Sequence, residues 1–293
     1  MTDGPPHIFD RALLDRRRQR VAAAAEDFLL RAVADDLLDR LAAVKRTFAL
    51  GVDLASPLPL VAERLAATGQ ASRVLRIDRI GAPDIVGDPE LLPLAPASAD
   101  LIVSALALHW TDDLPGTLAQ VRVALKPDGL FLAALLGGET LTELRQSLAQ
   151  AESEVTGGAS PRVSPFAELR TAGALLQRAG FALPVIDADK RTVRYNTALH
   201  LMRDLRAMGA TNVLVERDRR PLRRQVLIRA ASIYAERFAD PDGRIRATFE
   251  VISLSGWAPH ASQQQPLRPG SAKARLADAL NAVEKSAGEK AGG

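Results

Sequence analysis

Cysteine is absent from the 293 residues, which excludes disulfides, zinc-thiolate sites, iron-sulfur ligation and thiol catalysis together. Long hydrophobic runs are missing too. No apolar stretch approaches the about 18 residues of a membrane span, and MTDGPPHIFDR lacks a basic region followed by an apolar core. Neither a signal peptide nor a membrane span is therefore expected, and a soluble, cytoplasmic protein is the default. Aromatic side chains make up only 4% of the chain. They are not interleaved with Lys/Arg runs, so no nucleic-acid surface is expected.

What is present is ample core material, 47% hydrophobic residues with a formal charge of +3, enough for one large domain or a domain with an elaboration. Acidic and basic residues alternate along most of the chain. The densest basic group, Arg16, Arg17, Arg18 and Arg20, lies on a predicted helix. It reads as a solvated face rather than a membrane or partner surface.

Apolar spacing of three and four from Leu29 to Val44 predicts an amphipathic helix, leading into a strand at Phe48 to Leu54. A crossover helix over Leu60 to Ala67 and a second strand, Arg73 to Asp78, follow, an order that implies parallel pairing. After a turn-rich passage with a short strand near Asp84 to Val86 comes ADLIVSALALHWTDDLP, Ala99 to Pro115. Its apolar run to Leu108 is what a strand covered on both faces requires, and ligands collect beyond the carboxyl ends of such strands.

A helix from Leu114 to Leu125, a tight turn at KPDG and a strand from Leu130 to Leu136 complete this part. A helical stripe from Leu141 to Val155 precedes a helix predicted to start with Ser164 as N-cap and Pro165 at its first position. Leu183 to Val193 reads as a strand turning near Ala188 and Asp189. Helices at Ala198 to Met208 and Pro221 to Phe238 and a last strand at Arg246 to Leu254 follow. The expected division is an N-terminal helical segment (1–45), a core (46–195), a helical insertion (196–245), the final strand (246–262) and a polar tail (263–293). That tail carries one weak helix near Ala272 to Val283, and its last residues are expected to be disordered.

Asp53, Asp78 and Asp88 fall at or beyond strand ends, where carboxylates can accept ribose hydroxyls or an adenine amino group. Each equally suits an N-cap or turn. The loop after the first strand, Ala55, Ser56, Pro57, Leu58, Pro59, has no glycine. Its prolines lack N–H groups and fix φ near about −65°, so phosphate cradling and a left-handed turn are not expected there. His109 with Asp112 or Asp113, plus His260 or His7, could form part of a two-histidine, one-carboxylate metal set. The spacing favours His109 as a pocket-lining histidine instead, and no metal site is expected. Trp110 and Trp257 are pocket walls or core, His200 is structural, and Arg203 and Arg206 either hold an acidic substrate group or form a solvated face.

IFDR at Ile8 to Arg11, SALALHWTDDLP at Ser104 to Pro115, LKPDG, GGETLTELR, GGASPRVSPF, LLQRAGF, LMRDLRAMGATN and GWAPHASQ together resemble the class I S-adenosylmethionine-dependent methyltransferases. Within them the chain resembles the family of complex I assembly factors that hydroxylate an arginine on the iron-sulfur subunit. The resemblance runs almost end to end. LHW and LKPDG mark only the broad superfamily; GGETLTELR, MGATN and SGWAPH are narrower. The implied fold is α/β, a Rossmann-like, seven-stranded, mostly parallel sheet with a reversed final strand, N-terminal helices and a helical insertion over the pocket mouth.

By that resemblance S-adenosylmethionine is the cofactor. Asp53 belongs to the first motif, Asp78 takes the ribose, Asp88 lies on the adenine side, and Ala55, Ser56, Ser104, Ala105 and Leu106 line the rest. Ala55, Pro57 and Pro59 stand where the family pattern has glycines, which leaves a weak or lost cofactor site as an alternative. Catalytic candidates are His109, Trp110 and Asp112. The implied partner is a protein client, a complex I iron-sulfur subunit, with at most peripheral membrane contact at the inner face. Three functions compete: arginine hydroxylation of that client, O-methylation of a small acid or acyl-carrier thioester of the biotin-pathway type, and non-catalytic assembly.

Overall fold

Alternate residues of the apolar run face opposite cores. Leu101, Val103 and Ala105 pack into one cluster with Leu37 and Leu144, while Ile102 packs into another with Phe131 and Leu176. A strand covered on both faces has no solvent side, which is why its sequence shows no polar alternation. In a computed structural model of the chain, which describes residues 7–166 and 168–264, this strand lies at the centre of a seven-stranded sheet ordered β3-β2-β1-β4-β5-β7-β6.

The elements are α1 (Arg11–Val21), α2 (Phe28–Ala42), β1 (Phe48–Leu54), α3 (Leu60–Ala67), β2 (Ala71–Asp78), β3 (Ile85–Val86) and β4 (Ala99–Ala105). Then come α4 (Leu114–Ala124), β5 (Leu125–Leu136), α5 (Thr142–Thr156), α6 (Leu169–Arg178) and β6 (Ala182–Tyr195). The chain continues through α7 (Ala198–Ala207), α8 (Arg224–Phe238) and β7 (Ile245–Trp257). Strands β1 to β5 pair in parallel, and β7 runs antiparallel to both β5 and β6. This is the predicted seven-stranded, mostly parallel sheet with a reversed last strand, and it puts the ends of β1, β2 and β4 along one edge.

Three local expectations differ. KPDG does not end a strand: β5 begins at Leu125 and carries the sequence as an irregularity between the Ala99–Leu125 and Leu101–Leu130 pairings. Asp128 takes φ 62° there, and Arg46 Nη1 donates to its carbonyl and carboxylate, both at 2.7 Å. The turn chemistry was legible, but its outcome is a bulge. Strand β6 shows no turn at Ala188 and Asp189, because its pairing with β7 is continuous from Val185 to Tyr195. Helix α6 starts at Leu169 rather than at Ser164 and Pro165. Ser164 is buried, in an irregular segment whose Val163 and Phe166 pack on the core.

The chain divides into Met1–Pro259, which holds the sheet, and His260–Gly293. In the second unit the described part is short, with His260 Nδ1 2.6 Å from the Ser262 hydroxyl. The predicted helix near Ala272 to Val283 and the expected disorder beyond it lie outside the described residues. No helix among the described residues is long and apolar enough to cross a membrane.

Candidate functional site

A cavity of 670 Å³ opens at the carboxyl edge of β1, β2 and β4, where a parallel sheet presents its ligand crevice. Ala55, Asp78 and Leu106 mark the three strand ends in its wall. Leu144, Leu148, Met202 and Phe249 supply apolar lining, and α1 with residues 209–220 lies over it.

The first loop is left-handed despite its composition. Ala55 takes φ 60°, with its amide donating to Ile77 O at 2.7 Å, and Leu106 takes φ 51°, with its amide on Ala134 O at 2.7 Å. Bonds to the neighbouring strands hold both alanine and leucine in a region that disfavours side chains. The expectation that Pro57 and Pro59 abolish such a turn is thus corrected, because the turn residue is Ala55, ahead of both. The hydroxyls stitch the same strands: Ser104 Oγ donates to Leu54 O at 2.8 Å, and Ser56 Oγ accepts from the Ala105 amide at 3.0 Å. Ser56, Ser104 and Ala105 sit behind the wall rather than in it.

Asp78 is 1% exposed and fully engaged. Its Oδ2 accepts from Arg18 Nη2 at 2.7 Å and Arg76 Nη2 at 2.6 Å, and its Oδ1 from the Arg79 amide at 2.7 Å, with Arg18 Nη1 at 3.4 Å. A carboxylate offers about four acceptor positions, and the guanidinium of Arg18 takes two of them, one on each oxygen. Arg18 also donates to Pro57 O at 3.1 Å, which docks α1 onto the first loop. Arg17 and Arg18 both line the cavity, while Arg16 and Arg20 are exposed. The arginine-rich helix is therefore only half a solvated face.

Asp53 is completely buried just before that loop, and neither of its oxygens has a hydrogen-bond partner. Burial pushes its pKa up to about 7. Ser56, Arg76 and the Ala62 amide act in the lowering sense, although none closes a bond to it. Asp53 and Asp88 lie outside the cavity wall. Asp88 instead pairs with Arg11, and Glu90 joins it by accepting from Arg11 Nη1 at 2.6 Å and from the Asp112 amide. Glu90 is a structural hub that spacing alone could not reveal, since its partners lie 79 and 22 positions away.

His109 and Trp110 reach the cavity on a single 3-10 turn, Leu108–Trp110. The His109 ring centroid is 5.7 Å from that of Phe166 and 4.9 Å from that of Trp110. Burial lowers its pKa to about 3, and Nδ1 has no partner. The imidazole is therefore neutral and can exchange one hydrogen bond with a ligand. Asp112 plays another part. Its Oδ1 accepts from the Ile8 and Phe9 amides, each at 2.9 Å, and its Oδ2 lies 3.1 Å from His7 Nδ1.

Asp112 thus anchors the segment ahead of α1, and Phe9 meets Trp110 edge-on at 5.5 Å. Replacing Asp112 with Ala is expected to lower stability by about 2 kcal/mol and to remove hydrogen-exchange protection at Ile8 and Phe9. Unchanged protection there contradicts the anchoring role. Among the described residues no group of three or more His, Asp and Glu side chains could hold a metal ion. Trp257 packs on the core, His200 pairs with the N-cap Thr197 at 2.8 Å, Arg203 is exposed outside the cavity wall, and Arg206 lies in that wall.

Residues 38–133 match the model of a methyltransferase domain. A Bacillus halodurans chain named as a methyltransferase superposes with TM-score 0.51 at 15% identity, covering 78% of this chain and 99% of that one, a likeness of fold. The malonyl-[acyl-carrier protein] O-methyltransferase of Xylella fastidiosa is 43% identical over 175 residues, 60% of this chain and 57% of that one. The mitochondrial arginine-hydroxylase NDUFAF5 of Danio rerio is 38% identical over 287 residues, 93% of this chain and 89% of that one. With the methyltransferase sheet and near full-length similarity together, the chain belongs to the arginine-hydroxylase NDUFAF5 family of methyltransferase-fold proteins.

Proposed function

We propose that the chain is an S-adenosylmethionine-dependent enzyme that modifies a protein client, by arginine hydroxylation, during assembly of respiratory complex I. The observation that carries this is a cavity lined by Asp78 at the strand ends and by the apolar side chains of Leu144, Leu148 and Phe249, in a chain similar to an arginine hydroxylase over most of its length.

The residues fit the cofactor. Asp78 is a buried carboxylate at the end of β2, Ala55 keeps the left-handed first loop, and Leu106 with Ala107 lines the wall beside them. When bound, S-adenosylmethionine would supply a reactive sulfonium centre. Hydroxylation would also need dioxygen or an equivalent oxidant as co-substrate, which supplies the added oxygen atom and takes up the two electrons removed from the C–H bond. Asp78 would accept the ribose hydroxyls at the acceptor positions that Arg18 fills here. Neutral His109 orients the reacting group through one hydrogen bond, while Phe166 and Trp110 keep water from it. The client is a complex I iron-sulfur subunit. Comparing its intact mass from cells with and without this chain tests the proposal. One added oxygen atom that depends on the chain is expected, and identical masses overturn the modification.

The similarity to an acyl-carrier-protein O-methyltransferase favours a second reading, in which the product gains a methyl group on a carboxylate. The saturated state of Asp78 supports a third, non-catalytic assembly, in which Arg18 never leaves.

A further inference from the structure

Arginine outnumbers acid around the cavity, whose lining carboxylates among the described residues are Glu26, Asp78 and Asp218. Most of the lining guanidinium groups are matched. Arg11 pairs with Asp88 and Glu90, Arg18 with Asp78, Arg79 with Asp15, Arg162 with Glu152 and Arg217 with Asp10. Arg220 pairs with Asp218. Arg17, Arg206 and Arg219 are not matched: among the described residues none of them has a carboxylate within 4.0 Å, and of the three Arg206 and Arg219 are exposed. Arg17 is half-buried, and its one contact is with a neutral carbonyl, Asn212 O at 2.6 Å. Burial, together with the guanidinium groups of Arg217, Arg20 and Arg206, holds Arg17 below the usual arginine pKa, with Asp10 opposing. Of these groups Arg206 and Arg217 share the cavity wall with Arg17, while Arg20 lies outside it.

The backbone brings them together through motifs that the cofactor does not explain. Consecutive residues of a helix diverge by about 100°, so α1 sends Arg18 to Asp78 and Arg17 to the loop after α7. That loop is the MGATN segment. Gly209 has φ 72°, and a Cβ there would lie 3.2 Å from Arg18 Cα, so only glycine lets the loop close on α1. Asn212 Nδ2 donates to Pro161 O at 2.8 Å, tying the same loop to GGASPRVSPF. Arg206 stands in the last turn of α7, just ahead of Gly209.

We propose that this end of the cavity, bounded by Arg17, Arg206 and Arg217, binds an anionic oxygen group of the substrate, a carboxylate or a phosphate. The inference rests on the reading of the cavity as a substrate site. Guanidinium groups are suited to such ligands because they donate paired hydrogen bonds in a plane. The ribose end, marked by Asp78, is served by Arg18. Arg17 is half-buried with no carboxylate to balance it, and an anion beside it would supply the missing countercharge.

Titrating the full chain with malonate and, separately, inorganic phosphate at constant ionic strength tests this, with binding followed by calorimetry. At least one anion is expected to bind saturably, with or without S-adenosylmethionine present. Arg17→Gln and Arg206→Gln are each expected to weaken it about tenfold, the loss of one charge-assisted hydrogen bond. Arg203→Gln, the same charge change on α7 outside the cavity wall, is expected to leave it unaltered. Malonate alone binding assigns a carboxylate and phosphate alone a phosphate, either supporting the site. Saturation by neither anion, equal weakening by all three variants, or competition with S-adenosylmethionine overturns it. Anion binding without any S-adenosylmethionine binding leaves this site standing and removes the proposed cofactor instead.

Discussion

Replacing Asp78 with Ala is expected to destabilise the protein by about 3–5 kcal/mol and to abolish S-adenosylmethionine binding. The carboxylate is buried and compensates two guanidinium groups at once, Arg76 at 2.6 Å and Arg18 at 2.7 Å, whose side chains are only 6% and 11% exposed. Breaking a buried pair from one side leaves cations with nothing to replace the water they gave up, and here two are left. Urea unfolding measures the loss; a change below about 1 kcal/mol, the range of a surface pair, contradicts the buried network.

Arg18→Ala separates the two roles of this carboxylate. It removes one cation, leaves Arg76 paired and frees two acceptor positions, one on each oxygen. S-adenosylmethionine is then expected to bind several-fold more tightly than to the wild type. Weaker binding means that Arg18 holds the ligand rather than competing with it.

The second large effect concerns Asp53. Its folded pKa, about 7, lies above the 3.8 of an ordinary aspartate because burial penalises the charged form. Below pH 3.8 both states carry the proton and there is no penalty. Between pH 3.8 and 7 the unfolded chain ionises while the folded one keeps its proton, so stability falls by about 1.4 kcal/mol per pH unit. Above pH 7 the penalty is constant, at about 4 kcal/mol. Asp53→Asn has no carboxyl to ionise, so its stability relative to wild type is expected to rise between pH 4 and pH 8. Parallel stability curves for the two proteins over that range contradict the buried, unpaired state of Asp53.

The sheet was legible because burial writes itself into sequence. Phe48 to Leu54 is apolar but for Asp53 and Leu101 to Leu108 but for Ser104, and such a pattern suits a doubly covered strand. Local signals were less secure where a tertiary contact decides their outcome. KPDG contains turn residues, yet Arg46 and the β4 pairing keep it inside β5. Ser164 and Pro165 have the chemistry of a helix start, but the segment is held down by Val163 and Phe166 on the core. Of the candidate site residues, Ala55, Asp78, Leu106, His109 and Trp110 reach the cavity, because strand ends fix the edge where ligands gather.

The roles of Asp112, Glu90, Arg17 and Arg18 could not be read in this way. Their partners lie far along the chain, as with Arg18 and Asp78, 60 residues apart, and no local period encodes such a pairing. Ala55 shows the converse limit: alanine at a left-handed position looks like the loss of a motif, while two flanking strands hold the conformation regardless.

The proposed function requires that Asp78 and its neighbours bind S-adenosylmethionine. Calorimetric titration of the full chain with S-adenosylmethionine tests it most directly. Saturable one-to-one binding is predicted, lost in Asp78→Asn and retained in Arg206→Gln. No heat of binding at millimolar ligand, in the wild type and in Arg18→Ala alike, would contradict it.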